Sequence, residues 1–264
     1  MRAIAVVFAT ILLAGCSTNQ NVATDHNHKM EAAPMLEPGM ATPAPGGGTY
    51  LQQSLPAEIL SLPLVDAGGK GFSLSDFENQ TVVITNFLTS CQEICPMTTV
   101  NMRDIAQAVK DAQLSDRVKV LEISVDGERD TPERMAAYQE LFHDNSWTLA
   151  SGSIENLAKL WTYFGAPAKR MEIEAAEAAS MPTDWQTGKP SAYDMMHSDI
   201  AIIIDKGVWR WLTIGTPKIS GELPKALKSF LTEEGLANLA KPEEPTWSVS
   251  SVLSALTGLT GTHF

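Results

Sequence analysis

The chain is poor in cysteine, with three in 264 residues, and aromatic side chains make up only 7%. Three thiols exclude a small scaffold stapled by several disulfides in place of a core. Basic residues are also few, 19 Lys and Arg against 31 Asp and Glu, for a formal net charge of -12. So acidic a protein is not built to follow a phosphate backbone, which excludes nucleic acid as a partner. No internal repeat is visible, and the apolar run from Ala3 to Leu13 falls well short of the roughly 20 residues that span a bilayer. Hydrophobic content of 44% is ordinary for a globular domain, and the length fits one domain with extensions.

Arg2, the apolar run and Leu13-Ala14-Gly15-Cys16, followed at once by polar Ser17-Thr18-Asn19-Gln20, have the layout of a secretory signal peptide. A cysteine directly after Leu-Ala-Gly resembles the bacterial lipobox. That implies removal of residues 1–15 and a lipid on Cys16, placing the protein on the periplasmic side of a bacterial membrane. Cys91 and Cys95 then remain as a pair: a disulfide, a metal site, or both in turn.

Residues 16–54 carry Pro34, Pro38, Pro43, Pro45, the run Gly46-Gly47-Gly48 and a single aromatic, Tyr50, and read as a disordered tether. His26, His28, Met30, Met35 and Met40 in this segment are compatible with a solvated linker or with metal scavenging. From Leu55 the pattern turns globular. Leu62 to Asp66 and Phe72 to Leu74 flank a glycine-rich turn, and Thr81 to Leu88 and Val118 to Val125 read as buried strands. A helix is expected after Pro96, another after Thr131-Pro132-Glu133, and a third from Ser153 to Phe164, stopped at Gly165. Trp147 to Ala150 reads as a short strand. Ile200 to Asp205 and Val208 to Ile214 form a hairpin around Lys206-Gly207, and Leu223 to Leu231 is the last expected helix. This order predicts an α/β, thioredoxin-like fold with a mixed central sheet, flanking helices and a late β-hairpin, occupying residues 55–232. Residues 169–192 form an acidic, alanine-rich insertion. A C-terminal extension, 233–264, contains a weakly amphipathic stretch from Val249 to Leu259 suited to docking on the body or on a partner.

The decisive feature is Cys91-Gln92-Glu93-Ile94-Cys95-Pro96. A separation of four puts both sulfurs on one side of an incipient helix turn, where they can share one ion or form a disulfide. Nearness to a helix N-terminus is expected to favour the thiolate. Two thiolates suit Cu(I), a soft ion, and a third ligand such as imidazole would complete a trigonal site. His197, just before the strand at Ile200, is the candidate, although a lone histidine is more often an ordinary surface residue.

From about Leu62 to Leu231 the chain resembles the Sco/SenC family. The resemblance rests on Phe87-Leu88-Thr89, the Cys-x-x-x-Cys-Pro of 91–96, and Ser124-Val125-Asp126-Gly127-Glu128-Arg129-Asp130-Thr131-Pro132. Trp147-Thr148-Leu149, Ile154 to Gly165, and His197-Ser198 leading into Ile202-Ile203-Ile204-Asp205 continue it. It implies Cu(I) or Cu(II) held by Cys91, Cys95 and His197, and delivery to a copper-enzyme client, the binuclear centre of cytochrome c oxidase. An upstream copper donor and a thiol reductant are the further partners it implies.

The chain departs from the family pattern at Met196, preceded by Met195, where an acid usually precedes the histidine. It departs again at Gln92 and Gly127, where proline is frequent. The methionines are compatible with a thioether near the metal or with packing. Two functions use the same sulfurs. A metallochaperone needs His197; a thiol-disulfide reductase, in which one cysteine attacks and the other resolves, does not. The Cys-x-x-x-Cys spacing, in place of Cys-x-x-Cys, favours metal transfer over an enzyme.

Overall fold

The computed structural model describes residues 41–242 and 246–264. The expected leader at 1–15, the expected lipid site Cys16 and the part of the expected tether up to residue 40 lie outside the described residues. Among the described residues no helix is long and apolar enough to cross a membrane.

The chain runs through β1 (Thr42–Pro43), β2 (Thr49–Ser54), α1 (Ala57–Leu60), β3 (Leu64–Asp66), β4 (Gly71–Phe72), β5 (Thr81–Phe87) and α2 (Cys95–Asp111). It continues through β6 (Val118–Ser124), α3 (Pro132–Glu140), β7 (Thr148–Ser151), α4 (Ile154–Tyr163), β8 (Lys169–Glu172), α5 (Ala175–Ala178) and β9 (Tyr193–Met196). The hairpin β10 (Ile200–Asp205) and β11 (Val208–Ile214) follows, then α6 (Lys225–Lys228), α7 (Glu233–Ala240) and α8 (Val249–Thr260). One sheet has the order β1-β2-β11-β10-β5-β6-β7-β3-β4, and β8 pairs with β9 separately.

Strands β5, β6 and β7 are parallel, so each junction needs a crossover, which α2 and α3 supply. The hairpin adds to the free edge of β5 in antiparallel sense, giving the expected thioredoxin-like order β6-β5-β10-β11. All seven residues of β5 are buried, as its valine and isoleucine content predicts for a strand covered on both faces. Lys206 and Gly207 turn the hairpin with φ of 52° and 75°, the left-handed pair that matches strand twist in a two-residue loop. Thr131 and Ser153 cap α3 and α4 by accepting from the N–H groups of Arg134 and Asn156.

Two expectations change, and one alternative left open is decided. Residues 49–54, placed in the tether by composition, form β2 and pair with β11, with Leu51 buried. The glycine run here serves close packing. Trp211 donates its indole N–H to the Gly47 carbonyl at 3.2 Å, and a Cβ on Gly48 would lie 2.5 Å from the Trp211 ring. The helix expected over 223–231 shrinks to the single turn α6, because Phe230 and Leu231 turn into the core and Thr232 caps a new helix, α7. The C-terminal stretch docks on the body as α8, burying Val252, Ala255 and Leu256.

Gly127 has no space for a side chain, since a Cβ would collide with the carbonyl oxygen of Gly152 and lie 3.2 Å from the Ile154 N. Gly127→Ala is therefore expected to cost about 1–3 kcal/mol of stability, the usual range for an overpacked site. A urea midpoint unchanged from the parent would contradict this packing.

Candidate metal centre

Cys91 and Cys95 lie in the loop where β5 becomes α2. The Cys91 N–H donates to the Leu88 carbonyl at 3.2 Å and Cys95 opens α2, with Pro96 in its first turn. A proline there loses nothing, because a first-turn N–H has no intrahelical partner. Both cysteines are free thiols; Cys95 is buried and Cys91 partly exposed. The Cys95 N–H points at the Cys91 sulfur at 3.4 Å, which holds the two side chains next to each other.

His197 reaches the same place from the segment joining β9 to β10. The cysteine sulfur of Cys95, a ring nitrogen of His197 and a carboxylate oxygen of Asp199 all lie within 4.8 Å of one another. Asn86, buried at the end of β5, holds this segment. Its amide N–H donates to the Ser198 carbonyl at 2.7 Å and faces His197 Nδ1 at 3.1 Å, while its carbonyl accepts from the Ile200 N–H. That last bond fixes the amide orientation, which turns the Asn86 N–H groups toward Ser198 and His197; His197 Nδ1 also lies 3.3 Å from the Ser198 carbonyl.

Burial pushes the Cys95 thiol well above its usual range, and the adjoining Cys91 and the charge of Asp199 push the same way. This reverses the expectation that the helix N-terminus leaves Cys95 a thiolate: desolvation outweighs the dipole. Burial also raises the Asp199 carboxyl, with His197 opposing. Deprotonating this cluster is thus costly unless a cation enters with it, and metal binding would release protons.

The segment from Ser124 to Pro132 braces both halves of the site. Asp130 accepts from Ser124 and Thr89 hydroxyls at 2.5 Å each, and burial raises its carboxyl to about 6 against those hydrogen bonds. Thr89 is thereby fixed two residues before Cys91. Asp126 pairs with Arg129 and accepts from the Tyr193 hydroxyl at 3.1 Å, anchoring the start of β9, the strand that leads to His197.

The acidic insertion covers the cysteine loop. Arg134 pairs with Asp184, Trp185 donates its indole N–H to the Thr89 carbonyl at 2.7 Å, and Gln92 donates to the Pro182 carbonyl at 2.6 Å. From the opposite direction the Thr232 N–H donates to the Gln92 carbonyl at 3.0 Å, and Gly235 of α7 packs so tightly that a Cβ would collide with it. Gln92 is thus a tie point. Met195 packs against the core.

Sequence reasoning named Cys91, Cys95 and His197; the fold groups Cys95 with His197 and Asp199, and Cys91 stands beside Cys95 but outside that group of three. It missed Asn86, Asp199 and Asp184. Asp199 lies two residues after His197 and offered a signal only as a neighbouring acid; the signal at Asn86 would have been a lone amide in a strand otherwise made of apolar residues and threonine.

The SCO1 protein homolog of Bacillus subtilis is 28% identical over 109 residues, 40% of this chain and 55% of that protein. A Stutzerimonas stutzeri protein whose name refers to copper binding is 29% identical over 115 residues, 43% of this chain and 55% of its own. The chain thus spans about half the length of the curated relatives it matches. Among solved structures, ScoI of Bradyrhizobium japonicum with copper bound is 24% identical with a TM-score of 0.47, covering 64% of this chain and 97% of that one. The SCO1/SenC family model matches residues 59–213, more than half of the sequence, and the chain belongs to that family.

Proposed function

We propose that the protein binds copper as cargo through Cys91, Cys95 and His197 and passes it to a copper enzyme, with the binuclear centre of cytochrome c oxidase as the intended client. The observation that carries this reading is the meeting of the Cys95 thiol with an imidazole reached from a different part of the chain, with Cys91 held beside Cys95. Sulfur and imidazole are the donors that suit copper, and few, partly exposed ligands allow transfer by ligand exchange. The Stutzerimonas stutzeri relative supports the choice of metal. In this reading Cys16 carries a lipid that tethers the domain on the periplasmic side of a bacterial membrane, within reach of a membrane-bound client. An upstream protein loads the copper, and a thiol reductant keeps Cys91 and Cys95 reduced for it.

The test is an anaerobic Cu(I) titration of the reduced full chain against a competing chelator. One tightly held equivalent, absent after Cys91→Ser with Cys95→Ser, is expected. A parent that holds no Cu(I) contradicts the proposal.

A second reading is favoured by the unequal exposure of the two cysteines. Partly exposed Cys91 would attack a client disulfide, releasing one client thiol and forming a mixed disulfide. Buried Cys95 would then displace the second client thiol and close the Cys91–Cys95 disulfide, so the client gains the two electrons the pair loses. A client's copper-ligand cysteines would be kept reduced by this route.

A further inference from the structure

We propose that Asp199 is a further ligand of this centre and that it engages the oxidised ion, Cu(II). The inference rests on the copper reading above and adds one donor to it. Ligand atoms around a single ion with bonds of about 2.0–2.3 Å sit roughly 3–4.5 Å apart. The Cys95 sulfur, the His197 ring nitrogen and the Asp199 oxygen, all within 4.8 Å of one another, fall close to that spacing before any ion draws them in. The carboxylate is also available. Among the described residues its side chain makes no hydrogen bond and no ion pair, although Asp199 is anchored through its backbone carbonyl, which accepts from the Gly215 N–H at 2.9 Å. A carboxylate with no hydrogen-bond partner is thereby held beside a buried thiol and an imidazole, where an entering cation finds three donor groups together.

Donor chemistry decides which oxidation state gains. Two thiolates and an imidazole already satisfy Cu(I), for which a hard oxygen is a poor donor. Cu(II) is harder, prefers a fourth donor, and carries one more positive charge to offset a third anionic ligand. Asp199 therefore lowers the reduction potential of the bound ion and lets one centre keep copper in both oxidation states.

The test compares the full-length parent with Asp199→Asn, which keeps the shape and removes the charge, and with Asp199→Glu, which keeps the charge. Circular dichroism confirms that each is folded. Cu(I) affinity is measured by chelator competition, and the potential of the bound couple by optical titration. Electron paramagnetic resonance reports the Cu(II) ligand set. Asp199→Asn is expected to weaken Cu(II) at least about tenfold more than Cu(I), a positive shift of about 59 mV for a one-electron couple, with altered Cu(II) hyperfine splitting. Asp199→Glu is expected to keep the potential closer to the parent's. A potential and Cu(II) spectrum unchanged in Asp199→Asn would overturn the inference while leaving the three-ligand site intact. Equal weakening of both ions would overturn the preference for Cu(II). A parent that binds neither ion would overturn this inference together with the copper reading.

Discussion

His197→Ala is expected to bind Cu(I) about 100-fold or more weakly than the parent while reducing a small disulfide at a rate within about twofold. Loss of a residue that merely orients a ligand costs roughly 10–100-fold in metal affinity, so loss of the ligand itself sets a larger effect. The thiol chemistry has no need of the ring. Attack and resolution involve only the two sulfurs, and Cys91 stands just before α2 with its sulfur 3.4 Å from the N–H of Cys95, which opens that helix. The side chain of Asn86 keeps its bonds to the Ser198 carbonyl and the Ile200 N–H in the variant, so the segment is held without the imidazole. Chelator competition and a disulfide-reduction assay on one preparation check both halves. Unchanged Cu(I) affinity would remove His197 from the centre.

Glu122→Gln is expected to change how stability depends on pH. Glu122 lies in the middle of β6 with its carboxyl fully buried between the Trp147 indole N–H, at 2.8 Å, and the Thr99 hydroxyl, at 3.0 Å. Thr99 has one hydroxyl hydrogen and also lies 3.0 Å from the Cys95 carbonyl, an acceptor only. A neutral Glu122 resolves that competition by donating to Thr99, which then donates to Cys95. Burial, opposed by the hydrogen bonds from Thr99 and Trp147, pushes the carboxyl to about 8 from its usual 4.5.

The folded protein therefore holds a proton that the unfolded chain gives up. The stability this supplies is full below about pH 4.5 and is lost progressively up to about pH 8. Glutamine offers the same donor and acceptor without a charge. At pH 9 the variant is expected to be more stable than the parent by about 2 kcal/mol or more, and at pH 5 nearly equal to it. Denaturant unfolding at pH 5, 7 and 9 checks this, and because Asp130 and Cys95 titrate in both proteins, the difference isolates Glu122. Parallel stability profiles would contradict a buried neutral acid.

What was legible in the sequence is what local chemistry decides. Lys206-Gly207, the Thr131 and Ser153 caps and the apolar run of β5 each state their structure within a few residues. The cysteine spacing declared itself in the same way. Features that depend on distant partners stayed hidden. Gly46-Gly47-Gly48 has the composition of a linker, and only Trp211, far along the chain, turns it into a packing surface. The insertion at 169–192 reads only as acidic and alanine-rich, yet Asp184 finds Arg134 and Trp185 finds Thr89, so it closes over the cysteine loop. Glu122 went unremarked inside the run read as a buried strand, and its meaning needed Thr99 and Trp147.

The most direct test of the centre is X-ray absorption at the copper edge on the reduced full chain loaded with one equivalent of Cu(I). The account predicts a first shell of two sulfurs from Cys91 and Cys95 and one nitrogen, with the nitrogen lost in His197→Ala. A shell of nitrogen and oxygen alone, or one holding a single sulfur, would contradict it.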